Sequence, residues 1–287
     1  MAQCMFPYKV EKELYHNQKD RFVPVPCGKC PQCLKRRVAS WSFRLEMESL
    51  LWEKQYFLTL TYNNENVPIS DNGFLTLNPR HLTLFFKRLR KRSGTLRYYL
   101  CGEYGTNTKR PHYHVILFAT SSLFESDIEQ IWEYGSVYYG NVEAGSIRYT
   151  VQYYDKGVWQ KSHVRDDRHP EFSRMSQGIG RNFLTKSQIN NFLNNPQKSF
   201  IYDREGKKIS IPRYYKRRIY DYFGSQNMVA THPTLLIHRD DMLLAKQRHH
   251  EEISKVMQEI EIDETVTDQD RHMAVINYSQ SKRKTRK

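Results

Sequence analysis

The chain has 287 residues, 39% hydrophobic and 13% aromatic, which is enough to bury a core in one elaborated domain or two small ones. Lys and Arg number 45 against 31 Asp and Glu, and the resulting net charge of +14 favours a polyanionic partner such as nucleic acid. No stretch approaches the ~20 apolar residues of a membrane span, and the opening Met1-Ala-Gln-Cys-Met-Phe6 lacks the charged start and apolar run of a signal peptide. A reducing cytoplasm, with no membrane partner, is the expected setting.

Five cysteines is an odd number, and three of them sit in Cys27-Gly-Lys-Cys30-Pro-Gln-Cys33, a spacing that suits a metal or redox motif better than a disulfide framework. The stretch from Leu34 to Trp52 then reads as a helix, with Leu34, Val38, Trp41 and Leu45 recurring at three and four residues. Tyr56-Phe-Leu-Thr-Leu-Thr-Tyr62 is rich in β-branched and aromatic residues and reads as a buried strand. Asn63-Asn64 and Ser70-Asp-Asn-Gly73 supply turn chemistry. Asn78-Pro79 is a helix start, followed by the apolar stripe Leu82, Phe85, Phe86 and Leu89 and a basic end at Arg88, Arg90, Lys91 and Arg92.

Leu96 to Glu103 and His112 to Phe118 are the next two strands, joined by the polar turn Gly105 to Arg110 into a hairpin. Ser122 to Tyr134 reads as helix, Ser136 to Glu143 as strand and Ile147 to Lys156 as helix. Strands and helices in this order give an α+β fold, a central antiparallel sheet with flanking helices, preceded by a cysteine-rich, zinc-knuckle-like extension. The expected division is residues 1–53 for that extension and its helix, 54–160 for the core, 161–280 for a basic C-terminal extension and 281–287 for a disordered basic tail. Residues 157–213 are polar and turn-rich and carry little periodicity; a charged helix is expected from His238 to about Ile262.

Residues two apart on a strand point to one face, so His112 and His114 converge while Tyr113 points away. The pair is a half-site for a divalent metal, or simply two hydrogen-bonded histidines. Glu103 ends the preceding strand, and an antiparallel partner brings it beside His112. Two imidazoles and a carboxylate leave positions for water and a phosphate oxygen, a set that suits Mg²⁺ or Mn²⁺ without excluding zinc or nickel. On a helix Tyr149 and Tyr153 are i,i+4 neighbours, with Lys156 three residues further along the same face. A phenol with a pKa of about 10 is a weak nucleophile and needs a cation or a polarised phosphorus; in a chain with 20 tyrosines the alternative is an aromatic packing stripe. Tyr154 points about 100° away and is read as packing.

Cys27, Cys30 and Cys33 lack one ligand for a closed tetrahedral zinc site, and Cys4 is the natural fourth, against free thiols or an iron–sulfur cluster. Cys101, within a strand, reads as a core residue. Arg174-Met-Ser-Gln-Gly-Ile-Gly-Arg181 reads as a flexible basic loop able to approach phosphates. Ile211-Pro-Arg-Tyr-Tyr-Lys-Arg-Arg218 reads either as a single-strand platform or as an amphipathic element with a solvated basic face. The candidate DNA contacts are Arg36, Arg37, Arg110, Arg181, Arg213 and Lys216.

Phe57-Leu-Thr-Leu-Thr-Tyr62, Gly102-Glu-Tyr-Gly105 leading to Arg110-Pro-His-Tyr-His114, and Tyr149-x-x-x-Tyr153-x-x-Lys156 resemble, in order, the three motifs of HUH rolling-circle replication initiators. The paired tyrosines resemble the initiators of icosahedral single-stranded DNA phages. Val25-Pro-Cys-Gly-Lys-Cys-Pro-Gln-Cys33 with Arg36, Arg37 and Trp41 is similar to the gokushovirus branch of the microviruses. The resemblance covers roughly residues 1 to 220. It implies Mg²⁺ or Mn²⁺ on His112, His114 and Glu103, and attack by Tyr149 or Tyr153 on a single-stranded DNA origin in the host cytoplasm. A 5′-phosphotyrosyl bond and a 3′-OH for the host polymerase and helicase would follow, and the second tyrosine would cut the regenerated origin so that the strand is rejoined. Two other readings are a non-catalytic zinc-containing DNA-binding protein and a transposase or relaxase. The paired tyrosines, the short length and the lack of a Walker motif argue against the latter.

Overall fold

A computed structural model of the protein describes residues 4–11, 22–105, 107–152, 164–195, 198, 200–220, 267 and 273. The expected helix at 238–262 and the tail at 281–287 lie outside them. The chain forms two compact units, Ser42–Arg181 and Met1–Trp41 together with Asn182–Lys287. No helix among the described residues is long and apolar enough to cross a membrane.

The unit Ser42–Arg181 is built on a five-stranded, wholly antiparallel sheet. Its strands are β3 (Lys54–Thr61), β4 (Leu96–Tyr104), β5 (Pro111–Ala119), β6 (Val137–Gly140) and β7 (Phe172–Met175), in the spatial order β6-β3-β5-β4-β7. The hairpin β4–β5 puts β5 at the centre, buried along nearly its whole length. On one face lie Leu58, Leu60, Tyr113, Val115 and Leu117, packed against α2 (Pro79–Ser93) and α3 (Glu125–Ile131). The α2 stripe Leu82, Phe85, Phe86 and Leu89 is fully buried, and each such side chain contributes roughly 1.5–3 kcal/mol by leaving water. Asn78 caps this helix by accepting from the Arg80 amide, Pro79 fills the first turn, and Gly94 ends it with φ +79°.

Two elements are shorter than the sequence pattern suggests: the strand expected over Ser136–Glu143 is confined to Val137–Gly140, and the helix expected over Ser122–Tyr134 stops at Ile131. The residues after Ile131 are drawn onto β3, where the Asn63 amide donates to the Tyr134 carbonyl and the Thr61 amide to Ser136. Gly135 lies between them, where a Cβ would collide with the Thr61 carbonyl and the Asn63 amide. Gly135→Ala should therefore cost roughly 2 kcal/mol or more, read as a fall in denaturation midpoint; an unchanged midpoint would show that the chain relaxes there freely.

The opposite face carries Thr59, Thr61, Glu103, His112, His114, Ile116 and Phe118, alternating with the core positions. Helix α4 (Ala144–Gln152) packs on this part of the unit, burying Ile147, Thr150 and Val151. The helix α1 (Pro31–Ser49) enters this unit at Ser42, and its buried Glu48 pairs with Arg97 at 2.9 Å while accepting from Trp52 Nε1 and the Gly180 amide.

This arrangement corrects the expectation of a flexible loop at Arg174–Arg181. Arg174 and Met175 belong to β7 and pair with β4; Ile179 is fully buried, its carbonyl accepts from Arg44 at 3.0 Å, and Gly178 and Gly180 turn the chain with φ of +72°. A backbone already bonded to Arg44 and Glu48 is not available to wrap a phosphate.

In the other unit, β1 (Tyr8–Glu11) and β2 (Phe22–Val25) form a hairpin, followed by the start of α1. Helix α5 (Lys186–Asn194), the hairpin β8 (Phe200–Tyr202) with β9 (Lys208–Ser210), and α6 (Arg213–Tyr220) complete it. The segment Ile211–Arg218 resolves in favour of the amphipathic reading. Ile211, Tyr215 and Ile219, four apart, are buried, and Tyr215 packs on Phe183, so its ring cannot serve as a base platform.

Candidate active site

The pairing of β4 with β5 sets Glu103 directly opposite His112, and one pleat repeat away Cys101 opposite His114. Glu103 and His114 are buried and His112 is half-buried. Both imidazoles turn Nε2 toward the same carboxylate oxygen, His112 at 2.7 Å and His114 at 3.1 Å. The three ligand atoms all lie within 4.8 Å of one another.

The far sides of both rings are also held. His112 Nδ1 meets the Arg110 carbonyl at 3.2 Å, and His114 Nδ1 meets Thr59 Oγ1 at 3.0 Å. A proton on Nδ1 of His112, donated to that carbonyl, leaves Nε2 as a bare lone pair facing a carboxylate oxygen. Two acceptors cannot bond each other, so a proton or a cation has to lie between them. The donor set fits a divalent ion bound through two nitrogens and one oxygen, with the remaining coordination positions open. Phe57 stacks on His114 with ring centroids 5.8 Å apart and supports it from β3.

Helix α4 carries Tyr149 to this cluster. Its ring stands edge-on to His114 at 5.3 Å and edge-on to Phe57 at 6.3 Å, with 37% of the residue exposed. Tyr153 and Lys156, expected on the same helical face, and Tyr154 lie outside the described residues. Thr59 and Phe57, which orient His114, were not singled out from sequence; their alternation with Leu58 and Leu60 along β3 is the signal that places them on the site face.

Cys4, Cys27, Cys30 and Cys33 form a second cluster, in the N-terminal unit, with all four sulfurs within 4.8 Å of one another. All are free thiols. The Cys4 and Cys30 sulfurs are 3.8 Å apart, about the edge of a tetrahedron with metal–sulfur bonds of about 2.3 Å. The Cys27 amide donates to Cys4 Sγ and the Cys30 amide to Cys27 Sγ, each at 3.3 Å, an arrangement that stabilises thiolates. Burial raises the Cys30 thiol, but hydrogen bonds from the Met5 and Cys33 backbone outweigh it and bring it down to about 7; burial pushes Cys33 and Cys4 up. Phe6 and Tyr8 pack against the cluster.

The family of replication-associated protein ORF2 matches residues 55–158, the stretch that holds β3, the hairpin and α4. Over 216 residues the chain is 29% identical to replication-associated protein ORF2 of Spiroplasma virus 4, covering 68% of this chain and 67% of that protein. Replication-associated protein VP4 of Bdellovibrio phage phiMH2K is 27% identical over 216 residues, 67% of this chain and 66% of that one. Replication-associated protein ORF4 of Chlamydia phage 1 is 27% identical over 230 residues, 70% of this chain and 55% of that protein. No solved structure matches. Residues 55–158 belong to the replication-associated protein ORF2 family.

Within this family member the sequence-derived basic candidates occupy different settings. Arg110 donates through Nε and Nη2 to the Tyr62 carbonyl, at 3.3 and 2.8 Å, and so ties the β4–β5 turn to the end of β3. Arg181 is exposed at the start of a 3₁₀ turn, and Arg37 and Arg213 are exposed on α1 and α6. Arg36 and Lys216 are half-buried, and desolvation together with the Arg36 charge lowers the Lys216 ammonium. Cys101 is buried in β4.

Proposed function

We propose that this chain initiates rolling-circle DNA replication by nicking single-stranded DNA at an origin with a tyrosine and remaining attached to the 5′ end. The observation that carries this reading is Tyr149 standing against His114 beside the Glu103–His112–His114 cluster. A divalent ion, Mg²⁺ or Mn²⁺, held by those three residues would draw charge from a non-bridging phosphate oxygen. Tyr149 supplies the nucleophile: its oxygen bonds to phosphorus, the bond to the 3′ oxygen breaks, and the phenolic proton leaves to solvent while the 3′ oxygen gains one. The energy of the phosphodiester is retained in the tyrosyl ester, so a later 3′-OH can reverse the exchange and rejoin the strand. Tyr153 takes the second cut and Lys156 steadies the phosphate or phenolate, as their spacing on the helical face suggests. The free 3′-OH serves the host polymerase and helicase in the host cytoplasm, and the cluster of Cys4, Cys27, Cys30 and Cys33 holds a structural zinc.

The test is denaturing electrophoresis of the protein with an end-labelled single-stranded origin oligonucleotide and Mn²⁺. A covalent adduct that survives denaturation and disappears on tyrosine substitution is expected. Tight binding without any adduct would leave a non-catalytic DNA-binding protein and remove the nickase reading. Separately, freshly reduced protein should carry about one zinc per chain, and Cys30→Ser should lose it; elemental analysis finding no metal in the unmodified protein would remove the zinc assignment.

A further inference from the structure

The short edge strand β6 runs beside β3, and its register extends the active-site row across the sheet. Tyr138 pairs with Thr59, Thr59 with His114, and His114 with Cys101, so Tyr138 belongs to the same face as the Glu103–His112–His114 cluster. Its neighbours Val137 and Tyr139 point the other way, into the core against α2 and α3; Tyr139 donates to the Glu125 carbonyl and sits edge-on to Tyr56. Adjacent strands lie about 4.8 Å apart, so Tyr138 stands two strands, about 10 Å, from His114, within the reach of a nucleotide or two.

Tyr138 is 62% exposed, and no ring among the described residues packs on it. Two residues on, along the same face, Gly140 offers no side chain; a Cβ there would come within 3.0 Å of the Phe57 ring. The edge of the sheet therefore presents one bare aromatic ring beside an open stretch of backbone, continuous with the half-exposed Tyr149. An isolated exposed aromatic is ordinary on a protein surface. One placed on the row of the candidate metal ligands, in a chain of net charge +14, is positioned to receive a base of a strand whose phosphates the protein attracts.

We propose that Tyr138 is a stacking platform for an unpaired nucleobase of single-stranded DNA, one or two nucleotides from the phosphate held at His114 and Tyr149. This rests on the nickase reading for the path of the strand. The phenol face supplies van der Waals and π contact to any base and so fixes the strand's position without reading its sequence.

The test is fluorescence anisotropy of a labelled oligodeoxythymidylate in metal-free buffer, so that cleavage does not intervene. Tyr138→Ala should raise Kd by ~10-fold, and Tyr138→Phe, which keeps the ring, should stay within ~2-fold. The salt dependence of Kd should be unchanged, since no phosphate contact is removed. A Tyr138→Trp variant should gain fluorescence quenched on adding the oligonucleotide, a direct report of stacking. Tyr138→Ala binding like the unmodified protein, an equal loss in Tyr138→Phe, or an indole indifferent to DNA would each overturn the proposal. A change in sedimentation mass in Tyr138→Ala would overturn it too, by assigning this edge to a second copy of the chain. If these binding results hold but no covalent adduct forms, the nickase reading fails while the platform stands.

Discussion

Replacing His112 and His114 together with alanine should abolish metal-dependent cleavage of single-stranded DNA while leaving its binding within about two-fold. A bound ion stabilises developing phosphate charge by several kcal/mol, and at about 1.36 kcal/mol per decade that corresponds to a loss of about 10³-fold or more. Removing both rings leaves the Glu103 carboxylate buried without either partner it has at 2.7 and 3.1 Å, so some loss of stability is expected as well. A variant that adds Glu103→Gln relieves that unpaired charge, and circular dichroism on both separates misfolding from lost chemistry. Cleavage rates are read on denaturing gels across a Mn²⁺ titration. Full cleavage by a folded double variant would move the metal site elsewhere.

The metal cluster was the most legible part of the chain because it depends on two short-range rules. Alternation along β5 puts His112 and His114 on one face, and the tight turn between β4 and β5 fixes a register that sets Glu103 opposite His112. Both follow from residues fewer than a dozen apart. The central helices were legible for the same reason: the stripe Leu82, Phe85, Phe86 and Leu89 follows the helical period, and Asn78-Pro79 marks the start.

Long-range tethers were not legible. Strand β7 carries only four residues, and its place beside β4 depends on the Ile179 carbonyl reaching Arg44 and the Gly180 amide reaching Glu48, more than 130 residues earlier. Nothing local distinguishes that glycine-containing segment from a loose loop. Tyr215 is a similar case. A tyrosine among arginines and lysines suggests a solvated platform, yet the four-residue spacing of Ile211, Tyr215 and Ile219 turns its ring inward. Composition gave the surface chemistry of α6, while periodicity determined which ring was available. The fourth cysteine ligand was legible only by elimination, since Cys4 joins Cys27, Cys30 and Cys33 across more than twenty residues.

Tyr149→Phe and Tyr153→Phe should differ from one another and from their combination. Tyr149 stands with its ring 5.3 Å from that of His114, edge-on, so its loss removes the nucleophile that the structure places against the cluster. Tyr153 lies outside the described residues, and its expected part rests on standing one helical turn further along the face. Each single variant should still form a covalent adduct through the remaining phenol, more slowly for Tyr149→Phe, because an i,i+4 neighbour must swing toward a phosphate that Tyr149 already faces. Each should also fail at repeated cleavage and joining, since a strand held on one tyrosine needs a second phenol to cut the regenerated origin. Only the double variant should lose the adduct altogether, whereas Tyr154→Phe, about 100° around the helix, should behave like the unmodified protein. End-labelled oligonucleotide on denaturing gels separates these outcomes. A phosphotyrosyl adduct in the double variant would place the nucleophile on another of the 20 tyrosines and leave the ring contact between Tyr149 and His114 as packing alone.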